Sequence, residues 1–209
     1  TSFDLSDAFL PPAWMEGGKW QFLLGTDDQG RDLLSAILYG LRVSLEIGLS
    51  SVFISVALGV SLGLISGYAG GVTDAVIMRF CDAIAAFPSI LLGLVVIAII
   101  GPGKYNVILA LGILFIPSFA RIVRGEYAKA RECNYVKSAR LMGASSFRIM
   151  FRHILPNAMG PIIVQATLAL GGVILTAASM SFIGLGVQPP EPEWGSILTE
   201  GQEFMRDYP

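Results

Sequence analysis

Between Glu126 and Asn157 the chain carries a basic island, EYAKARECNYVKSARLMGASSFRIMFRHILPN, set between apolar stretches. Its cations suit a charged partner or surface. Val136, Ala139 and the Met142-Gly143 pair fall three to four apart, giving a stripe that can dock on another protein. A second pair with chemical promise, Arg79 and Asp82, stands three residues apart within an apolar run. An ionised pair placed there marks either a structural contact or the lining of a route through a membrane. Bond-making chemistry is poorly provided for. The single histidine, His153, sits at the edge of the basic island and reads as an interfacial residue. It cannot join the distant acids in a hydrolytic triad. Gly103-Lys104-Tyr105 and Gly18-Lys19-Trp20 both lack the hydroxyl residue of a phosphate-binding loop. The sequence holds no Cys/His metal cluster, and Cys81 and Cys133 are expected on different levels, unpaired.

The composition names the setting in which those residues act. Of 209 residues, 54% are hydrophobic and 14% charged, against about 25% charged in a soluble domain, so the chain reads as a membrane protein. Its net charge of -2 is unevenly spread. Residues 1–41 sum to -4 and residues 184–209 to -4, whereas 121–153 sum to +6. The positive-inside rule therefore puts the island in the cytoplasm and both ends of the chain on the other side. Nucleic acid is not an expected partner, because the basic stretch offers few aromatic rings for stacking.

Four spans are expected to position the island, at about 43–68, 74–100, 106–123 and 158–185. They form a transmembrane domain over 42–185, with an extracytoplasmic segment 1–41 before it and an extracytoplasmic loop 186–209 after it. Asp32 to Leu41 reads as a separate amphipathic helix on the outer surface. Glu46 in the first span pairs most simply with Arg42, one turn away. Gly59, Gly63 and Gly67 recur every four residues and offer a smooth face to a neighbouring helix. Thr73 or Asp74 caps the second span, and Arg79 is the near partner for Asp82. Phe87-Pro88 should kink that span, and kinked spans often line a route across the bilayer. Lys104 stands as a lone base in an outer turn. Pro161 opens the fourth span, rich in small residues. Within the loop 124–157, Tyr135–Met142 reads as a short helix ended by Gly143 in the left-handed conformation. Ser145 or Ser146 caps a second short helix, stopped by Pro156. The plainer alternatives are an amphipathic basic loop at a membrane surface, a channel subunit and a membrane scaffold.

The island also resembles the signature loop of the permease subunits of bacterial ABC importers: Glu-Ala-Ala, three residues, Gly, then a distant Ile-x-Leu-Pro. Lys137, Ser138 and Ala139 occupy the first three positions, Gly143 the glycine, and Leu155 and Pro156 the end. Lys137 replaces the glutamate, so that carboxylate contact does not carry over, and His153 stands where Ile is usual. Leu24-Gly-Thr-Asp-x-x-Gly-Arg-Asp32 and Met180-Ser-Phe-Ile-Gly-Leu-Gly186 with Gln188-Pro-Pro-Glu-Pro-Glu-Trp-Gly195 are similar to segments of the dipeptide, oligopeptide and nickel branch. The resemblance implies an all-α, polytopic helical bundle of the ABC importer permease type with a cytoplasmic coupling helix. It implies a bacterial inner-membrane, multi-pass subunit that is not itself an enzyme, with one further span before residue 1 and another after residue 209. The absence of Met at position 1 fits that expectation of a longer chain. The implied partners are a second homologous permease, two ATPase subunits that bind ATP and Mg, an extracytoplasmic substrate-binding protein and the lipid bilayer. No cofactor is expected on this chain. The implied ATPase-coupling residues are Tyr135, Val136, Lys137, Ser138, Ala139, Met142, Gly143 and Ala144. Candidates for the translocation path are Arg79, Asp82, Phe87 and Pro88. Phe151-Arg-His-Ile-Leu-Pro-Asn157 looks like the peptide branch, with nickel import the alternative.

Overall fold

A computed structural model describes residues 5–188 and 191–204, and among them the chain is helical, without a β-strand. Pro189 and Pro190 of the outer-loop pattern, and the terminal charges Asp4, Arg206 and Asp207, lie outside those residues. Asp32 caps α1 (Leu33–Ala69) by accepting the Ser35 amide at 3.1 Å. The expected surface helix and first span are one element. No proline interrupts α1, and at 1.5 Å per residue its 37 residues run about 55 Å. Gly70 and Gly71, at φ 61° and 51°, make the turn that reverses the chain.

The next helix, α2 (Gly71–Ala85), starts at that turn without a side-chain cap. Neither Thr73 nor Asp74 caps it. Asp74 falls in the first turn, where Ser66 and Arg124 hold it. Between α2 and α3 (Ser89–Ile100) the axis turns by 92°. Pro88 lacks the amide hydrogen and pushes Phe87 out of helical geometry, so the expected kink is a full break. Next, α4 (Lys104–Leu114) and α5 (Ile116–Glu132) together form a 29-residue candidate span, longer than the expected 106–123. The helix continues to Glu132 because nothing stops it before Cys133 turns extended.

The island itself folds as α6 (Asn134–Leu141), α7 (Ser146–Arg148) and a π-helical stretch Ile149–Ile154. These run into α8 (Leu155–Phe182). Pro156 does not stop the helix. It sits in the first turn of α8, just after the Leu155 amide has reached five residues back to Met150, and that wider register spares the ring the carbonyl it would strike in an α-helix. Pro161 likewise lies inside α8 rather than at its start. The expected loop 186–209 contains a helix, α9 (Trp194–Phe204), which packs on α8 and α1. Three helices, or four counting the bent α2–α3 pair as one span, are long and apolar enough to cross a membrane.

The glycine ladder of α1 is where the bundle closes. A Cβ at Gly59 would stand 2.6 Å from Phe119 Cβ, at Gly63 2.6 Å from Ala120 O, and at Gly67 2.7 Å from Tyr127 Cβ, all on α5. Hydrogen would be tolerated there and a methyl would not, so α1 meets the α5 backbone at Gly59 and Gly63 and the Tyr127 side chain at Gly67. Farther along, Ser51 donates to Ile108 O at 3.2 Å and Ser55 to Gly112 O at 2.7 Å, tying α1 to α4.

Candidate functional site

Two places carry the candidate chemistry, the elbow between α6 and α8 and a charged groove between α2 and α5. At the elbow the Ala144 amide reaches Ala139 O and the Gly143 amide reaches Arg140 O, both at 3.0 Å. That pair of bonds is the Schellman ending of a helix. Gly143 holds φ 80° as expected, with open space around it, so glycine is needed for its backbone angle and not for room. Ser145 then caps the following turn at 3.4 Å from the Arg148 amide, and Tyr68 at the end of α1 donates to Ser146 Oγ at 2.7 Å.

The expected docking stripe is split, its Met142-Gly143 end exposed and its other two residues turned inward. Val136 and Ala139 are buried at 1% and 3% exposure, in one cluster with Tyr127, Ala130, Ile149 and Ile154, and Ala144 packs against that cluster. Their small size serves the chain's own core: α6 is clamped to the end of α5 and to the π turn. What faces outward is Leu141, 89% exposed, with Met142, Phe147, Ser138 and the half-exposed Tyr135. Leu141 and Phe147 were not among the expected contact residues. Lys137 is also exposed, 3.9 Å from Glu132. Burial raises the Tyr135 phenol above its ordinary pKa, against a hydrogen bond with Asn157 that pulls it down.

In the groove the structure brings Arg79 and Asp82 together with three residues that sequence reasoning did not assign to it: Asp74, Arg121 and Arg124. Asp82 pairs with Arg121 at 2.8 Å, not with Arg79. Asp82 turns to α5, while Arg79 lines the same groove. Nor is Asp82 buried, its side chain being 61% exposed on this chain. Arg124 grips Asp74 with two bonds of 2.6 Å. Phe87 and Pro88 lie apart from these charges, exposed at the α2–α3 break. The signal that could have found Arg121 and Arg124 was their spacing of three on one helix, beside two carboxylates that needed partners. At the other end of the bundle, Glu46 binds Lys104 at 3.4 Å instead of Arg42. Lys104 is thus no lone base, since Glu191 holds it too. Arg31 joins Asp27 to Glu200 of α9. Burial opposes the Arg31 charge, but those two carboxylates outweigh it and hold the pKa above the ordinary arginine value.

A family model described as binding-protein-dependent transport system inner membrane component matches residues 59–206. The di/tripeptide transport system permease protein DppC of Pseudomonas aeruginosa is 47% identical over 208 residues, covering 97% of this chain and 69% of that protein. The glutathione transport system permease protein GsiD of Pectobacterium atrosepticum is 48% identical over 203 residues, covering 97% and 67%. The dipeptide transport system permease protein DppC of Haemophilus influenzae is 47% identical over 197 residues, covering 94% and 67%. A crystal structure of an amino acid ABC transporter with histidines superposes with TM-score 0.61 at 18% identity, over 84% of this chain and 81% of that one, a likeness of fold.

Proposed function

The chain belongs to the family of binding-protein-dependent transport system inner membrane components, and from that premise we propose that it is one permease subunit of an ATP-driven importer of short peptides in the bacterial inner membrane. A transport subunit of this family works in a membrane with ATPase and substrate-binding partners and is not itself an enzyme. Family membership sets aside the channel and scaffold alternatives. The peptide cargo is supported by relatives named for di/tripeptides, dipeptides and glutathione. In this reading the complete assembly has a second homologous permease, two ATPases that bind ATP and Mg, and a binding protein on the outer side. The basic end, 121–153, lies in the cytoplasm.

The observation that carries the reading is the two-sided elbow. One side of the elbow, Val136 and Ala139 of α6, is locked into the end of α5, while the other presents Leu141 and Met142 at the end of α6 and Phe147 of α7 to solvent. Apolar side chains this exposed on a basic, extramembrane turn fit a groove on a cytoplasmic ATPase. A push on that surface reaches α5 through the packed cluster, not through a loop. Because α5 also borders the charged groove, ATP-driven closure of the ATPases would rock the path that Arg79 and Asp82 border and that breaks at Phe87-Pro88. Leu141→Asp tests this. With the side chain outside the core, the chain should accumulate normally in the membrane while ATPase binding weakens by about 2 kcal/mol, or about thirtyfold. Unchanged assembly and unchanged substrate-stimulated hydrolysis would rule the docking role out.

A further inference from the structure

The groove between α2 and α5 has a charge pattern that invites a ligand. Its five ionisable residues are three arginines and two aspartates. Both carboxylates are occupied, Asp74 by Arg124 and Asp82 by Arg121. Arg79 lines the same groove, and among the described residues no carboxylate lies within ion-pair distance of it. The groove therefore carries one guanidinium whose charge is not neutralised.

The α5 wall of the groove is basic. Arg121 and Arg124 are exposed on α5, and Lys129 and Arg131 continue that basic side toward its end. On α2 the exposed apolar residues Val72, Val76 and Phe80 form their own stripe four apart, and Asp74 and Met78 fall opposite it. Arg79 stands at the border between the two sides. By helical rise it lies about 7 Å beyond Asp74 and short of Asp82, so in depth it sits between the two ion pairs.

We propose that Arg79 receives the C-terminal carboxylate of the peptide as it crosses this chain, a proposal that rests on the peptide-import reading. A guanidinium offers a planar pair of donors matched to a carboxylate. The neighbouring ion pairs neutralise the other charges, so that one anionic group is favoured there and a second cation is not. An anionic lipid headgroup presents the same chemistry to the same arginine, and the two sources separate by experiment.

The test uses the complete transporter, with its own second permease, ATPases and binding protein, reconstituted in vesicles. Uptake of a dipeptide and of its C-terminal amide is compared, each with the binding protein saturated, for the native chain, Arg79→Gln and Arg79→Lys. The native transporter should move the free acid about tenfold faster than the amide, the size of one charged hydrogen bond. Arg79→Gln should erase that preference, and Arg79→Lys should keep part of it. A preference that survives Arg79→Gln would overturn the assignment, as would equal losses for both peptides. The same holds if the effect of Arg79→Gln disappears in vesicles of phosphatidylcholine without phosphatidylglycerol, which would mark a headgroup site. A native transporter that moves neither peptide would instead sink the peptide reading beneath it.

Discussion

Helix α5 has two sides built on opposite principles. Toward α1 it meets Gly59, Gly63 and Gly67 with Phe119, Ala120, Val123 and Tyr127, a seam of close contact without charge. Toward α2 it holds Arg121 and Arg124 in half-exposed ion pairs beside an open groove. The first contact has no room to adjust, because packed interiors yield poorly to added atoms. The second is made of long side chains whose pairs are shared with solvent and worth little individually. A rod fixed on one side and loosely tethered on the other can move as a body with α1 while changing its distance from α2. That difference gives the elbow, fastened to the end of α5, something to move.

The contrast can be broken at its rigid side first. Gly63→Leu places side-chain atoms where Ala120 O and Val123 Cβ already stand, and the strain should cost about 3 kcal/mol or more. The expected result is loss of folded chain from the membrane, read as yield and thermal midpoint in detergent. On the loose side, Arg121→Gln removes the partner of Asp82, yet both side chains are about half exposed. Stability should fall by only about 1 kcal/mol. If the two substitutions cost the same, the distinction between seam and groove is mistaken. The smallest effect is expected where α1 touches the elbow. Tyr68→Phe deletes a bond to Ser146 between exposed groups, worth about 0.5 kcal/mol. Its useful readout is the ratio of peptide moved to ATP hydrolysed, which should fall if that bond helps tie the elbow to α1.

The sequence made the seam legible and the groove only partly so. Glycines four apart in an apolar run can hardly mean anything but helix contact, and Gly143 announced its left-handed turn by type and position. Pro88 marked where the span would kink but not that the helix would end there and the axis swing by 92°, since the angle is set by what the two halves pack against. Asp82 was visible as an intramembrane acid, but its partner Arg121 lies 39 positions away, and periodicity within one helix favours the nearer Arg79. Val136 and Ala139 illustrate the same limit. Small residues on a helix say that something approaches closely, without saying whether it is another protein or the chain's own α5. Pro156 was misread because the π turn that accommodates it has no sequence mark comparable to a cap.

The account stands most directly on where Leu141 points in the assembled transporter. With the exposed Cys133 replaced by Cys133→Ser and cysteine placed by Leu141→Cys, a short thiol-to-amine crosslinker applied to the purified complex should join this chain to a lysine of an ATPase subunit in high yield, with a yield that changes between nucleotide-free and ATP-bound states. Crosslinking to the binding protein, or modification of that cysteine by a membrane-impermeant reagent added outside intact cells, would contradict it.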